Sequence, residues 1–398
     1  MRRVVKVSRI RIIITIIVVV LTTLLTGCTG KEPNEIAYVV ALGIDSTDDD
    51  NYKITIQYAN TTQISGGASE SGGKAGSEIV DNVTIEAPNI YAGVGLANNI
   101  VSKSFSMSHA KLIVFSKEMA EKGVKDMIET LVRSEEIRPD VFIAVANTTA
   151  NDYLTSVNPE MEVNPAQYYQ LIYQKNQLVG IPDGQLREFF TGLYTDNYDS
   201  ILPVSGVIEG AGGNSQNDDK GQSKDSQNEG SEGSSESLDS FESKNSDENE
   251  KEKDAEKNTS KYEYDIKNYV GGETAIEKKN KAEAIGAAVF EKDKMVGELG
   301  EVETEICKML KGDYTYSYLT YYNNDTPDIP ITVKTTQQKK PKYKIDTDKK
   351  TVDIELYIES DLYSLPADYN VENKIEDFER DVANYTSSAC TEFINNFT

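Results

Sequence analysis

Few residues in this chain have the type and spacing that chemistry requires. His109 is the only histidine, and in Phe105-Ser106-Met107-Ser108-His109-Ala110-Lys111 it could serve as a general base toward Ser106 or Ser108. A lone histidine at a strand entrance reads more simply as a structural hydrogen-bonding group. The loop Asp45-Ser46-Thr47-Asp48-Asp49-Asp50-Asn51 offers carboxylates to calcium. Yet Asp50 stands where a calcium-binding helix-loop-helix needs glycine, and Ile56 where its bidentate glutamate belongs, so a solvated hairpin turn is expected. Gly93-Val94-Gly95-Leu96-Ala97-Asn98 shows two of the three glycines of a dinucleotide fingerprint, but inside a segment of helical periodicity. Cys307 and Cys390, on expected helices, read as buried thiols rather than a disulfide. Carboxylates are too abundant to single out one acid and one base. With one His and three Cys, a multi-histidine zinc site, a CxxC redox pair and a disulfide framework are excluded. No P-loop and no GxSxG elbow occurs. No catalytic residue and no cofactor is expected, and the chain reads as a non-enzyme.

The amino terminus is more specific. Met1 to Arg11 is basic, Ile12 to Leu25 is an apolar run containing three threonines, and Leu25-Thr26-Gly27-Cys28 follows directly. Fourteen helical residues at 1.5 Å rise cover about 21 Å, short of the ~30 Å hydrocarbon core of a bilayer. The arrangement resembles a bacterial lipoprotein signal peptide with its lipobox at Leu25, Thr26 and Gly27. That resemblance implies cleavage before Cys28 and a diacylglyceryl thioether on its thiol, giving an acylated (palmitate-bearing) anchor. Left uncleaved, Ile10 to Leu25 would instead be a signal anchor with Cys28 an ordinary thiol at its outer end. The folded part would sit outside the cytoplasm.

The 398 residues carry 66 Asp plus Glu against 41 Lys plus Arg, a formal net charge of −25, which excludes a general nucleic-acid binder. Loss of residues 1–27 removes five of the bases and brings the charge to about −30. The length allows two or three domains, each with its own core.

Stepping along the mature chain, Ile36 to Ile44 reads as a buried strand and Tyr52 to Tyr58 as a half-buried one, joined as a hairpin. A strand near Ile79 to Ile85 follows a Gly/Ser-rich loop. Ile90, Val94, Ala97 and Val101 then share one helical face, with Pro88 at its start. A strand at Lys111 to Phe115, a helix burying Val124, Met127, Ile128, Leu131 and Val132, and a doubly buried strand at Val141 to Ala146 make a βαβ unit. Gly123 weakens the first part of that helix.

Residues 211–260 hold 14 acids and 6 bases, with Leu238 and Phe241 as the only large apolar side chains. Such a segment cannot bury enough surface to offset chain entropy, so 209–264 is expected to be an acidic disordered linker at a domain boundary. Beyond it, Ala284 to Phe290 and Met295 to Leu299 read as a hairpin. A helix at Glu301 to Leu310 is capped by Gly312. In Thr351 to Glu359, Val352, Ile354, Leu356 and Ile358 alternate with polar residues, predicting one buried face and a hairpin with Tyr343 to Ile345. From Val371 the residues Ile375, Phe378, Val382 and Tyr385 continue a long closing helix.

Several stretches together resemble the Ger(x)C lipoproteins, the C subunits of spore germinant receptors. They are the lipobox at Cys28, Asn34-Glu35-Ile36-Ala37, Ala41-Leu42-Gly43-Ile44-Asp45, and Phe105 to Val114. Further on come Gly123-Val124, Arg133-Ser134-Glu135-Glu136-Ile137-Arg138-Pro139, Leu202-Pro203-Val204 and Gly286 to Gly297. The resemblance implies an α+β protein of several small mixed domains of sheets with packed helices. These are a signal peptide at 1–27, an N-terminal region at 28–208, the linker at 209–264 and a C-terminal domain at 265–398. It implies a lipid anchor on the outer face of the inner spore membrane, two integral-membrane receptor subunits as partners, and a role in nutrient-triggered germination. It carries over no catalytic residue. His109, Glu135, Glu136 and Arg138 are candidates for docking those partners. Relatives commonly continue past the closing helix, so the resemblance implies a truncated last domain. The competing expectation is a lipid-anchored solute-binding protein of an uptake system, which would pair two βαβ-rich lobes.

Overall fold

The computed structural model describes residues 11–20, 35–49, 51–59, 80–159, 162, 164–174, 180–208, 268–274, 280–323, 326–365 and 375–397. The lipobox, Cys28 and the expected linker at 209–264 lie outside the described residues.

Nine strands form one mixed sheet: β1 (Ile36–Ser46), β2 (Tyr52–Ala59), β3 (Val80–Ala87), β4 (Ser104–Ser106), β5 (Leu112–Ser116), β6 (Phe142–Ala146), β7 (Ser200–Val207), β8 (Ala282–Glu291) and β9 (Lys294–Leu299). Their order is β3-β2-β1-β5-β6-β7-β8-β9, with β4 paired to β1. β1, β5, β6 and β7 run parallel, flanked by antiparallel hairpins at both edges. The apolar runs in β1, β5 and β6 are continuous because helices cover both faces, as a parallel sheet requires. One face packs on α1 (Ile90–Ala97), α2 (Lys117–Lys122), α3 (Lys125–Val132) and α6 (Leu186–Leu193). The other packs on α4 (Ala150–Ser156) and α5 (Pro165–Gln174). Thus Ile113, Phe115, Ile143 and Val145 enter the first core, while Leu112, Val114, Phe142 and Ala144 enter the second.

A second sheet, β10 (Tyr316–Asn323), β11 (Thr326–Asp346) and β12 (Thr351–Ser364), buries Tyr321, Ile331 and Val333 against Phe378, Val382 and Tyr385 of α8 (Ile375–Phe397). α7 (Glu301–Lys311) connects the two sheets. Its amino end is closed by the Glu303 side chain, which accepts from Gly300 N at 2.9 Å, and its carboxyl end by Gly312 in the left-handed region. The class is α+β, as expected.

The strands on either side of 209–264 are hydrogen-bonded neighbours, β7 with β8, so one sheet takes strands from both halves of the chain. Several expectations are corrected. The helix at 123–132 is two helices: Gly123 has φ of 122°, and Val124 N donates to the carbonyl of Asp293 at 3.0 Å, so the β8–β9 turn docks in the break. Val132 is exposed on the outer side of α3. α1 stops at Ala97, where the ladder tightens and Asn99 N and Ile100 N donate to Leu96 O and Ala97 O three residues back, each at 3.0 Å, leaving Val101 in the following loop. The middle of β2 is buried on both faces rather than one. Thr55 and Gln57 are covered by α4 and α5, and Gln57 donates to Leu154 O at 2.9 Å while accepting from Tyr169 at 2.5 Å. In β12 the reverse holds: Val352 is exposed, and Ile354, Leu356 and Ile358 line an open groove beside α8. β12 is an edge strand, and α8 covers only part of it. Ile375, at the start of α8, is likewise exposed.

Candidate functional site

The segments 105–111 and 133–140 precede β5 and β6, which are parallel neighbours, so both reach the same, amino-terminal end of those strands. Each is anchored by apolar residues. Phe105, Met107 and Ala110 are buried on one side, Leu131, Ile137 and Val141 on the other, which pushes the intervening polar residues outward. A direct bond ties the two together: Met107 N donates to Glu136 Oε2 at 2.6 Å. Ser134 Oγ accepts from the amides of Glu136 and Ile137 at 3.3 and 3.2 Å, which shapes the second loop. The start of α6 joins the same rim, with Arg187 N donating to Pro139 O at 3.0 Å.

On this rim His109, Glu135, Glu136 and Arg138 are all exposed. His109 sits edge-on to Tyr38 with ring centroids 4.8 Å apart, and its Nδ1 lies 3.0 Å from Ser108 Oγ. Ser108 is in turn 2.9 Å from Ser106. A serine hydroxyl beside an imidazole is the first half of a nucleophile–base pair. The second half, an acid orienting the imidazole, is absent among the described residues. Arg138 holds Asp140 in a two-pronged ion pair, Nε and Nη2 each 2.9 Å from a carboxylate oxygen. The Arg138 hydrogen bonds keep the Asp140 carboxyl below the usual carboxylate range, and Asp140 raises the guanidinium. The Met107–Glu136 bond thus brings the loop bearing Glu135, Glu136 and Arg138 beside the one bearing His109. The rim's exposed side chains are polar and charged.

The other sequence candidates resolve as structure. Asp45 is buried: its carboxylate accepts from Ala150 N at 2.6 Å and Asn151 N at 3.2 Å, so it caps α4 instead of lying in a solvated turn. The next residues do turn, with Thr47 Oγ1 donating to Asn51 O at 2.7 Å. Among the described residues no cluster of His, Cys, Asp and Glu is arranged to hold a metal. Cys307 and Cys390 are free thiols, and burial pushes the Cys390 thiol up to about 11. Gly93 faces Ile54 from within α1, so that glycine serves helix–sheet contact. No helix among the described residues is long and apolar enough to cross a membrane.

A polar network that sequence reasoning did not isolate lies under α5. Tyr173 Oη is 3.0 Å from Tyr153 Oη and 2.5 Å from Ser205 Oγ, and Asn280 Nδ2 donates to Tyr168 Oη at 2.9 Å. Burial drives the Tyr153 and Tyr169 hydroxyls well above their ordinary range, so they remain neutral donors. The visible signal was the 23 tyrosines in a chain without tryptophan, three of them within 168–173.

Comparison with known proteins matches residues 30–207 to the spore germination protein N-terminal domain and residues 285–398 to the spore germination B3/GerAC-like C-terminal domain. Spore germination protein KC of Bacillus subtilis (strain 168) is 26% identical over 174 residues, 40% of this chain and 42% of that protein. Spore germination protein B3 of the same organism is 26% identical over 148 residues, 35% of this chain and 36% of that protein. These alignments span about two fifths of the relatives' length or less. A crystal structure of the GerBC protein superposes with a TM-score of 0.42 at 15% identity, over 88% of this chain and 80% of that one. The two domain matches follow one another in order and together cover most of the chain, which belongs to the Ger(x)C family of spore germination proteins.

Proposed function

We propose that the chain is the lipid-anchored C subunit of a spore germinant receptor, acting with two integral-membrane subunits on the outer face of the inner spore membrane. The observation that carries this reading is the junction of a lipobox ending at Cys28 with a germination-protein domain match that begins at residue 30. Cleavage before Cys28 would place the acylated residue two positions ahead of that match. Two or more acyl chains hold a protein stably at a bilayer, each buried methylene contributing ~0.8 kcal/mol. Confinement there makes association with membrane partners effectively intramolecular, so modest contact energy suffices. The rim of His109, Glu135, Glu136 and Arg138 is our candidate for that contact.

Labelled palmitate tests the anchor. The wild-type chain should take up label and lose residues 1–27, and Cys28→Ala should do neither. Label retained in Cys28→Ala would remove the anchor from the account. Photo-cross-linkers across residues 35–208 test the docking face, and absence of any partner contact there would exclude it.

A further inference from the structure

We propose that the end of α1 and the loop after it, presenting Leu96 and Ile100, form the face that rests on the bilayer, the two aliphatic side chains entering the boundary between headgroups and acyl chains. The inference rests on the anchored reading above and names the surface that the anchor brings to the membrane. Ile100 is 69% exposed and Leu96 50%. Their neighbours Gly95, Asn98 and Asn99 are exposed as well, and a Cβ on Gly95 would meet nothing within 4 Å. The chain holds 66 acids in 398 residues, yet no Asp or Glu occurs between Glu86 and Glu118. From Leu96 to Lys111 the only Asp, Glu, Lys or Arg residues are Lys103 and Lys111. An apolar tip backed by lysines suits a lipid interface.

The place of this loop in the fold says what covers it. Phe105 N donates to Asn98 Oδ1 at 2.8 Å, which holds the loop on β4, and β4 runs beside the beginning of β1, with Ile36 opposite Ser104. Cys28 precedes Ile36 by eight residues, so even at full extension the acylated residue stands within about 28 Å of it. Ile100 precedes Ser104 by four residues, within about 14 Å of it by the same measure. Tether and loop therefore leave one corner of the sheet. The rim bearing His109 lies at that end too, because β1, β5 and β6 run parallel. The β1–β2 turn, with Asp48 and Asp49 exposed, lies at the other end of β1, about 33 Å away at ~3.3 Å per residue. An anionic bilayer repels that acidic end and so favours the loop-down orientation. With the chain already tethered, two aliphatic side chains suffice to hold it.

The chain has no tryptophan, so a single introduced one reports alone. Ile100→Trp and Asp49→Trp are each made in the full chain and placed on phosphatidylglycerol vesicles. Both are studied in the acylated form and with Cys28→Ala, which stays tethered by the apolar run within residues 1–27. We expect the emission of Ile100→Trp to move to the blue. Lipids brominated near the headgroup end of their chains should quench it, as a depth of ~5–10 Å requires. Asp49→Trp should keep its water-exposed emission, unquenched. Leu96→Trp should be quenched like Ile100→Trp and lose that quenching when Ile100→Asp is added. Quenching at position 100 in a chain that takes no label on Cys28 would remove the acyl anchor and leave this inference standing. Vesicle-bound chain with position 100 unquenched, or equal quenching at positions 49 and 100, would overturn it. So would a photo-cross-linker at position 100 that captures a membrane protein instead of lipid.

Discussion

Glu305 occupies a place that suits its neutral form. Its Oε1 accepts from Ser317 Oγ at 2.5 Å, and burial pushes the carboxyl from the ordinary 4.5 up to about 7. The folded state therefore binds more protons than the unfolded one between those values. This group's contribution is complete at low pH, is lost as pH rises from about 4.5 to about 7, and stays lost above. Glu305→Gln keeps an acceptor for Ser317 and removes the titration. It should match wild type near pH 4 and exceed it by about 2 kcal/mol at pH 8, as read by urea unfolding at both values. Tyr173→Phe should cost about 1–3 kcal/mol in the same measurement, since it strands the hydroxyls of Tyr153 and Ser205 in the interior. At this scale the sequence placed Cys390 in the interior and the Gly93 segment on a helix, while Cys307 is only half-buried. It did not tell that Asp45 and Gln57 are interior. A polar side chain is buried only where a partner from a distant segment satisfies it, here the amides of α4 for Asp45 and Tyr169 with Leu154 for Gln57.

At the scale of elements, continuous apolar runs and strict alternation were legible, so β1, β5, β6 and the β8–β9 hairpin fall where expected. Alternation does not say what covers a face. β2 and β12 show the same period, yet β2 is sandwiched between two helical layers and β12 stands at an edge. α4, α5 and α6 were not anticipated: all are short, and the buried faces of α4 and α5 rest largely on tyrosines that a hydrophobic pattern weights lightly, while α6 buries only Leu186, Phe189, Gly192 and Leu193 in about two turns. The joining of β7 to β8 across the acidic segment is a long-range fact with no local signature. Gly206 is central to it, because a Cβ there would stand 2.1 Å from the carbonyl carbon of Gly271. Gly206→Ala should therefore displace the 268–274 segment and cost roughly 2–4 kcal/mol. Faster amide exchange within 268–274 would accompany the loss.

At the scale of the whole molecule, one sheet runs through both halves of the chain, and Lys117 pairs with Glu298 across them at 2.9 Å. A two-lobed solute-binding architecture needs halves that move apart, which a shared sheet opposes. The same continuity predicts that residues 211–260 are dispensable for folding. Ile208 N donates to Lys281 O at 2.8 Å, so the strand ends already meet without them. Excising 211–260 should shift the melting temperature by no more than about 3 °C, since loop length alters closure entropy only logarithmically. A drop well beyond that would give the segment a structural part.

The claim that this chain is an anchored receptor subunit is tested most directly in spores. A deletion strain and a Cys28→Ala strain are compared with wild type for germination across a panel of amino acids and sugars. The account predicts that the deletion abolishes the response to one nutrient class and that Cys28→Ala impairs that same response. An undiminished response of the deletion strain to every nutrient, in a background without paralogues, would contradict it.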